Sequence, residues 1–101
     1  MFELKFTKAA ESQFRKIEKH SSLELKKRIR ASLGMLQTNP KHSSLAIHPY
    51  DSIDYPFDSN PKGKVFGIYI QEKDLSSRIL ILCCLGPNKK QITVLAITPY
   101  L

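Results

Sequence analysis

The chain has 101 residues, 42% hydrophobic and 25% charged, with a formal net charge of +7. That is one ordinary globular domain, residues 1–101, able to bury roughly 60–65% of its unfolded surface without a metal or disulfide staple. No apolar run approaches the roughly 18 residues of a membrane span, and Met1-Phe-Glu-Leu-Lys5 carries charges where a signal peptide needs its apolar core, so a cytoplasmic address without a membrane partner is expected.

In chain order, Phe2–Phe6 alternates apolar and charged residues, the pattern of a short half-buried strand. Thr7 offers a hydroxyl cap for a helix running to about His20, with Ala10, Phe14 and Ile17 on its apolar face. Ser21-x-x-Glu24 reads as a capping box that starts a second helix after a tight turn. Leu25, Ile29, Leu33 and Leu36 line one side of it, and Asn39-Pro40 ends it. Residues 41–63, with Pro49, Pro56 and Pro61, predict a long ordered loop, a feature often tied to function. Lys64–Gln71 alternates as a strand, Arg78–Leu85 is apolar on both faces as a central strand is, and Gln91–Thr98 follows the polar turn Gly86–Lys90. The order β-α-α-β-β-β predicts an α+β fold: an antiparallel sheet with an N-terminal helical hairpin packed on one face.

The charge is uneven. Residues 1–42 hold ten Lys or Arg against four Glu, and residues 43–101 hold six against five. Lys26, Lys27 and Arg30 on the second helix are either a solvated face or an electrostatic footprint for RNA, DNA or an acidic protein segment. Charge alone does not choose between these.

The chemical inventory is thin. There is no Gly-rich phosphate loop, HExxH, Cys-x-x-Cys or GxSxG, and His20, His42 and His48 show no metal-ligand spacing. This argues against hydrolytic metalloenzymes and nucleotide-binding folds, and no metal site is expected. Cys83 and Cys84, adjacent on a strand, point to opposite faces and read as reduced core residues.

The topology and several blocks of residues resemble the RelE/ParE superfamily of toxins from bacterial type II toxin–antitoxin pairs. The blocks are Phe2–Phe6 followed by Thr-Lys-Ala-Ala-Glu11 and Phe14-Arg-Lys16, then Lys64-Val-Phe-Gly-Ile-Tyr69, Ser77-Arg-Ile-Leu80 and Ile92–Thr98. The resemblance implies a cognate antitoxin as partner. For RelE-type members it implies cleavage of ribosome-bound messenger RNA without a cofactor, with the RNA's own 2′-hydroxyl as nucleophile. The protein must then supply a base, cations for the phosphate and an acid for the leaving oxygen. Arg78 matches the family's phosphate-binding arginine. Lys64 and Tyr69 fall on the strand that carries lysines or other polar catalytic groups, and Tyr100 falls near the family's C-terminal Arg, His or Tyr positions. His48 and Tyr50 of the long loop are placed at the rim of that site. Gly67, Ile68 and Tyr69 stand where RelE-type toxins carry basic residues, a departure that leaves two other readings open. One is a ParE-like toxin that inhibits DNA gyrase by binding; the other is a non-catalytic member kept as a protein- or RNA-binding module. Each candidate also has an ordinary structural role open to it: Arg78 as a partner of Asp74, and the tyrosines as half-buried rings bonded to backbone.

Overall fold

Two capped helices form where their hydroxyl residues allow. The structure, a computed structural model, describes residues 1–42, 45, 47–57, 63–71 and 78–99. Helix α1 spans Lys8–His20, and the Thr7 hydroxyl accepts a hydrogen bond from Ala10 N at 3.1 Å. Its buried residues are Ala10 and Ile17, while Phe14 stacks on Phe6 with ring centroids 6.4 Å apart. Helix α2 spans Leu23–Thr38 and buries Leu25, Ile29, Leu33 and Leu36, the stripe its spacing predicts.

The cap of α2 is Ser22, not Ser21. Ser21 N–H donates to the Ile17 carbonyl at 3.0 Å and so closes α1, which leaves the Ser22 hydroxyl to accept from Leu25 N at 3.1 Å. Glu24 takes no part in a capping box and pairs one turn on with Arg28 at 3.0 Å. The two helices are clipped together by Arg30, whose Nε and Nη2 donate to Glu18 at 3.0 and 2.7 Å.

Among the described residues the sheet has five strands: β1 (Glu3–Phe6), β2 (His48–Pro49), β3 (Val65–Gln71), β4 (Arg78–Leu85) and β5 (Gln91–Pro99), in the order β1-β5-β4-β3-β2. The expected meander of β3, β4 and β5 is antiparallel, and β4 is central, with Ile79–Cys84 all buried. The α+β class and the helical hairpin on one face therefore stand. Two details differ. β1 joins β5 in parallel, which makes the sheet mixed; parallel pairing needs a long connection, and most of the chain lies between these strands. The long loop also contributes β2, an antiparallel edge strand in which His48 faces Gly67 and Pro49 faces Phe66. Proline, lacking an N–H, is readily accommodated at such an edge.

The faces of the sheet are unlike. Ile68, Ile70, Ile79, Ile81, Ile92, Val94 and Ile97 join the helix stripes in the main core. Val65, Leu80 and Leu82 form a second cluster on the other face with Tyr50, Leu95 and Ala96, and among the described residues no helix packs there. A bulge in β5 separates the partners of Leu82 and Cys83, which are Ala96 and Val94, and leaves Leu95 as the extra residue. Its carbonyl accepts from the Thr7 hydroxyl at 2.8 Å, so the cap of α1 is also a clasp on β5. Beyond β2, Tyr55 ties the loop to the end of β4 by donating to the Leu85 carbonyl at 2.6 Å. No helix among the described residues is long and apolar enough to cross a membrane.

Candidate functional site

On a pleated sheet, residues directly opposite across strands share a face. The register pairs Gln71 with Arg78, and Tyr69 with Leu80, which in turn faces Thr98 on β5. Arg78, Tyr69 and Thr98 therefore lie on the face without helices, near the end of β3 and the start of β4. Arg78 is exposed, and Tyr69 keeps 42% of its surface accessible. A depression of about 350 Å³ is lined by Tyr69, Ile70, Gln71 and Arg78.

The long loop completes this surface. Through β2, His48 is set opposite Gly67, and its imidazole stacks on Tyr69 with centroids 4.6 Å apart and planes 13° from parallel. Gly67 makes the approach feasible. A Cβ there would lie 3.2 Å from Leu80 Cδ1, 3.3 Å from His48 Nε2 and 3.5 Å from Tyr50 Cδ2, so the bare backbone forms the floor on which these side chains rest. Tyr50 N donates to the Val65 carbonyl at 2.8 Å, and its ring packs into the second cluster.

The other expected site residues are placed differently. Lys64 precedes Val65, the first residue of β3, whereas Arg78 pairs with Gln71, the last. At about 3.3 Å per residue the two ends of this segment lie roughly 23 Å apart, so Lys64 does not join Arg78. Lys26, Lys27 and Arg30 are on α2, in the layer behind the sheet, and Arg30 is engaged with Glu18. Tyr100 and Asp74 lie outside the described residues.

Two residues were not singled out from the sequence. Arg28 reaches from α2 to the end of β3, where Nη1 donates to the Gln71 carbonyl at 2.6 Å; it lines a neighbouring depression of about 290 Å³ that shares Tyr69, Ile70 and Gln71 with the first. Gln71 is thus bracketed by two guanidinium-bearing residues. The signal available was Arg28's place in the basic run of α2, but nothing in the spacing says which of those side chains turns toward the sheet.

Both thiols are buried, and burial pushes Cys83 up to about 12 and Cys84 to about 11, with Cys84 adding to the rise at Cys83. A nucleophilic thiolate role is accordingly closed to them. Among the described residues no group of three or more His, Cys, Asp or Glu is arranged to hold a metal ion.

The fold has a solved counterpart. The chain matches the crystal structure of the intact E. coli RelBE toxin–antitoxin complex with a TM-score of 0.61, over 100% of this chain and 99% of that one, at 11% sequence identity. The fold is RelE-like. No protein-family profile matches the chain, and no curated protein does. The α+β arrangement derived from caps and strand patterns is thus the one found in a toxin–antitoxin complex.

Proposed function

We propose that the chain is the toxin of a toxin–antitoxin pair, and that it cleaves messenger RNA on the ribosome through its open sheet face. The observation carrying this reading is the union of Arg78, Tyr69 and His48 on one face: a cation suited to a phosphate beside two groups that exchange protons. Arg78 would hold the scissile phosphate and offset the charge that builds as the RNA 2′-hydroxyl attacks. His48 would move a proton, imidazole being the side chain suited to this near neutrality. Tyr69, stacked against it, would orient the ring and present a phenol to the leaving oxygen. Tyr100 and Lys64 belong to the proposal only as residues expected from the family resemblance, Tyr100 as a further proton-transfer group and Lys64 as a more distant cation for the RNA backbone. The basic α2 residues Lys26, Lys27 and Arg30, behind the sheet, would serve encounter with RNA or the ribosome rather than chemistry. A cognate antitoxin with an acidic segment would be the partner that silences the chain in the cytoplasm.

A second reading has its own support. On the face that carries Arg78, the half-buried Leu95 and Ala96 lie over the buried Leu80 and Leu82, an apolar patch suited to gripping a protein target without catalysis. One experiment separates the two: induce the chain alone and together with its neighbouring gene, and follow growth and messenger-RNA integrity. The enzyme reading expects growth arrest with cleaved messages, abolished by Arg78→Ala. Arrest with intact messages overturns it in favour of the binding toxin, and unimpaired growth overturns both.

A further inference from the structure

In an antiparallel ladder, hydrogen-bonded and non-hydrogen-bonded positions alternate along each strand. On β3 the Val65 carbonyl turns outward to accept from Tyr50 N. Gly67, Tyr69 and Gln71 are in step with Val65, so their backbone groups also turn to that outer edge. Gln71 and Arg78 are therefore a non-hydrogen-bonded pair, with Cα atoms roughly 4.5 Å apart and no ladder bond exchanged between them. Among the described residues the last ladder bonds before this pair join Ile70 and Ile79. Arg78 thus begins β4 one position beyond the bonds that tie the two strands together.

Helix α2 supplies the missing tie. Strand β2 covers the outer edge of β3 only as far as Gly67. Beyond it, Arg28 Nη1 donates to the Gln71 carbonyl at 2.6 Å, while Nη2 bonds Glu24, one turn earlier in α2, at 3.0 Å. The planar fork is held from two sides. Its base is held as well, since Ile29, the next residue, is fully buried in the core. The Arg28 and Glu24 side chains keep 42% and 46% of their surface accessible, so the ion pair itself adds little to stability. Its location is what distinguishes it. A charge-assisted hydrogen bond falls on the carbonyl of the residue directly opposite Arg78.

We infer that Arg28 is a positioning residue. By pinning the Gln71 carbonyl to α2 it fixes the strand end from which Arg78 is presented, and with it the place of the Arg78 guanidinium on the open face. The inference deepens the cleavage reading, on which the use of that placement rests. A direct role for Arg28 as a second phosphate ligand fits less well, because its two terminal nitrogens already bond a carboxylate and a carbonyl.

Two measurements on the full chain test this. The first is amide hydrogen exchange at Ile79, followed by NMR, which needs no cleavage. Arg28→Ala should speed it about three- to tenfold, the worth of one net hydrogen bond, with exchange at Ile81 in mid-strand unchanged. Arg28→Lys, still able to donate once, should restore part of the protection. The second is single-turnover cleavage of ribosome-bound message. Arg28→Ala should lower the saturating rate about tenfold, since misplacing a catalytic group by about 1 Å can cost about 10²-fold. The half-saturating ribosome concentration should stay within about twofold, and with Arg78 already replaced by alanine the further loss should be under about twofold. Arg15→Gln, which removes the same charge from α1, should leave both measurements unchanged. Ile79 exchange that Arg28→Ala does not move overturns the proposal. So does an equal loss of rate with and without Arg78, or a loss seen only in the half-saturating concentration, which makes Arg28 a direct RNA ligand. A wild-type chain that leaves the message intact removes the cleavage reading alone, and exchange at Ile79 then decides whether Arg28 pins the Arg78 strand end.

Discussion

The imidazole of His48 lies flat against the phenol ring of Tyr69, 4.6 Å between centroids, although the two residues come from a proline-rich loop and from an alternating strand. The contact exists because His48 is in register with Gly67, two residues before Tyr69 on β3. Tyr69→Phe keeps the stack and removes only the hydroxyl; Tyr69→Ala removes both. If the phenol transfers a proton, Tyr69→Phe lowers the cleavage rate by about 10²-fold or more. If Tyr69 only positions His48, Tyr69→Phe retains activity while Tyr69→Ala and His48→Ala lose it together. Single-turnover cleavage of ribosome-bound message by the three variants decides the matter.

Arg78 is exposed at the start of β4, so its removal is expected to change stability by no more than about 0.5 kcal/mol. Loss of a cation placed against a transition-state charge costs far more, on the order of 10²–10³ in rate. Arg78→Ala should therefore show a wild-type urea midpoint with cleavage largely lost, and Arg78→Lys should recover only part, because an ammonium does not reproduce the bidentate fork.

Two glycines should respond differently to alanine. At Gly67 the added Cβ meets the ends of side chains at 3.2–3.5 Å, so Gly67→Ala should cost about 1 kcal/mol and disturb the His48–Tyr69 stack. At Gly86, φ is +116° and a Cβ would come within 2.5 Å of the Tyr55 hydroxyl oxygen; Gly86→Ala should cost about 2 kcal/mol or more. Chemical denaturation ranks the pair, and the reverse order would contradict the placement of Tyr55.

The buried thiols predict an alkaline limb. Their pKa values are raised from 9.0 to about 12 and about 11, so the folded state retains protons that the unfolded chain gives up. Their stabilising contribution is complete below pH 9 and is lost as pH rises toward about 11–12. Cys83→Ala/Cys84→Ala should flatten the decline in urea midpoint over that window. At neutral pH the thiols of the native chain should resist alkylation and react fully in denaturant.

Thr7 caps α1 and clasps the Leu95 carbonyl. Thr7→Ala should cost about 1–2 kcal/mol, and Thr7→Ser should restore most of it, measured as a shift in denaturation midpoint at unchanged slope.

The helices were legible because both carry a 3.6-residue apolar period ending on strong caps, and β4 because only a central strand is apolar on both faces. What escaped were features set by long-range register. β2 has two residues, one of them Pro49, too short to leave a pattern. The parallel pairing of β1 leaves no trace in Phe2–Phe6, since alternation reports burial and not direction. Lys64 was grouped with Tyr69 because they share a segment, yet its position at the far end separates it from Arg78. Arg28 was visible only as one of several cations, its reach to Gln71 depending on how α2 crosses β3.

The clasp between Thr7 and Leu95 joins residues 88 positions apart. Strand β1 gains its neighbour, and the Thr7 hydroxyl its acceptor, only when β5 is present to receive them. On a ribosome adding roughly 5–20 residues per second, the helical hairpin emerges seconds before the strand that closes the sheet. Late closure of this kind raises the mean sequence separation of contacts and slows folding. The interval before the last strand arrives is also the one in which the apolar hairpin lacks its sheet, and a partner present then meets the chain before its architecture is complete.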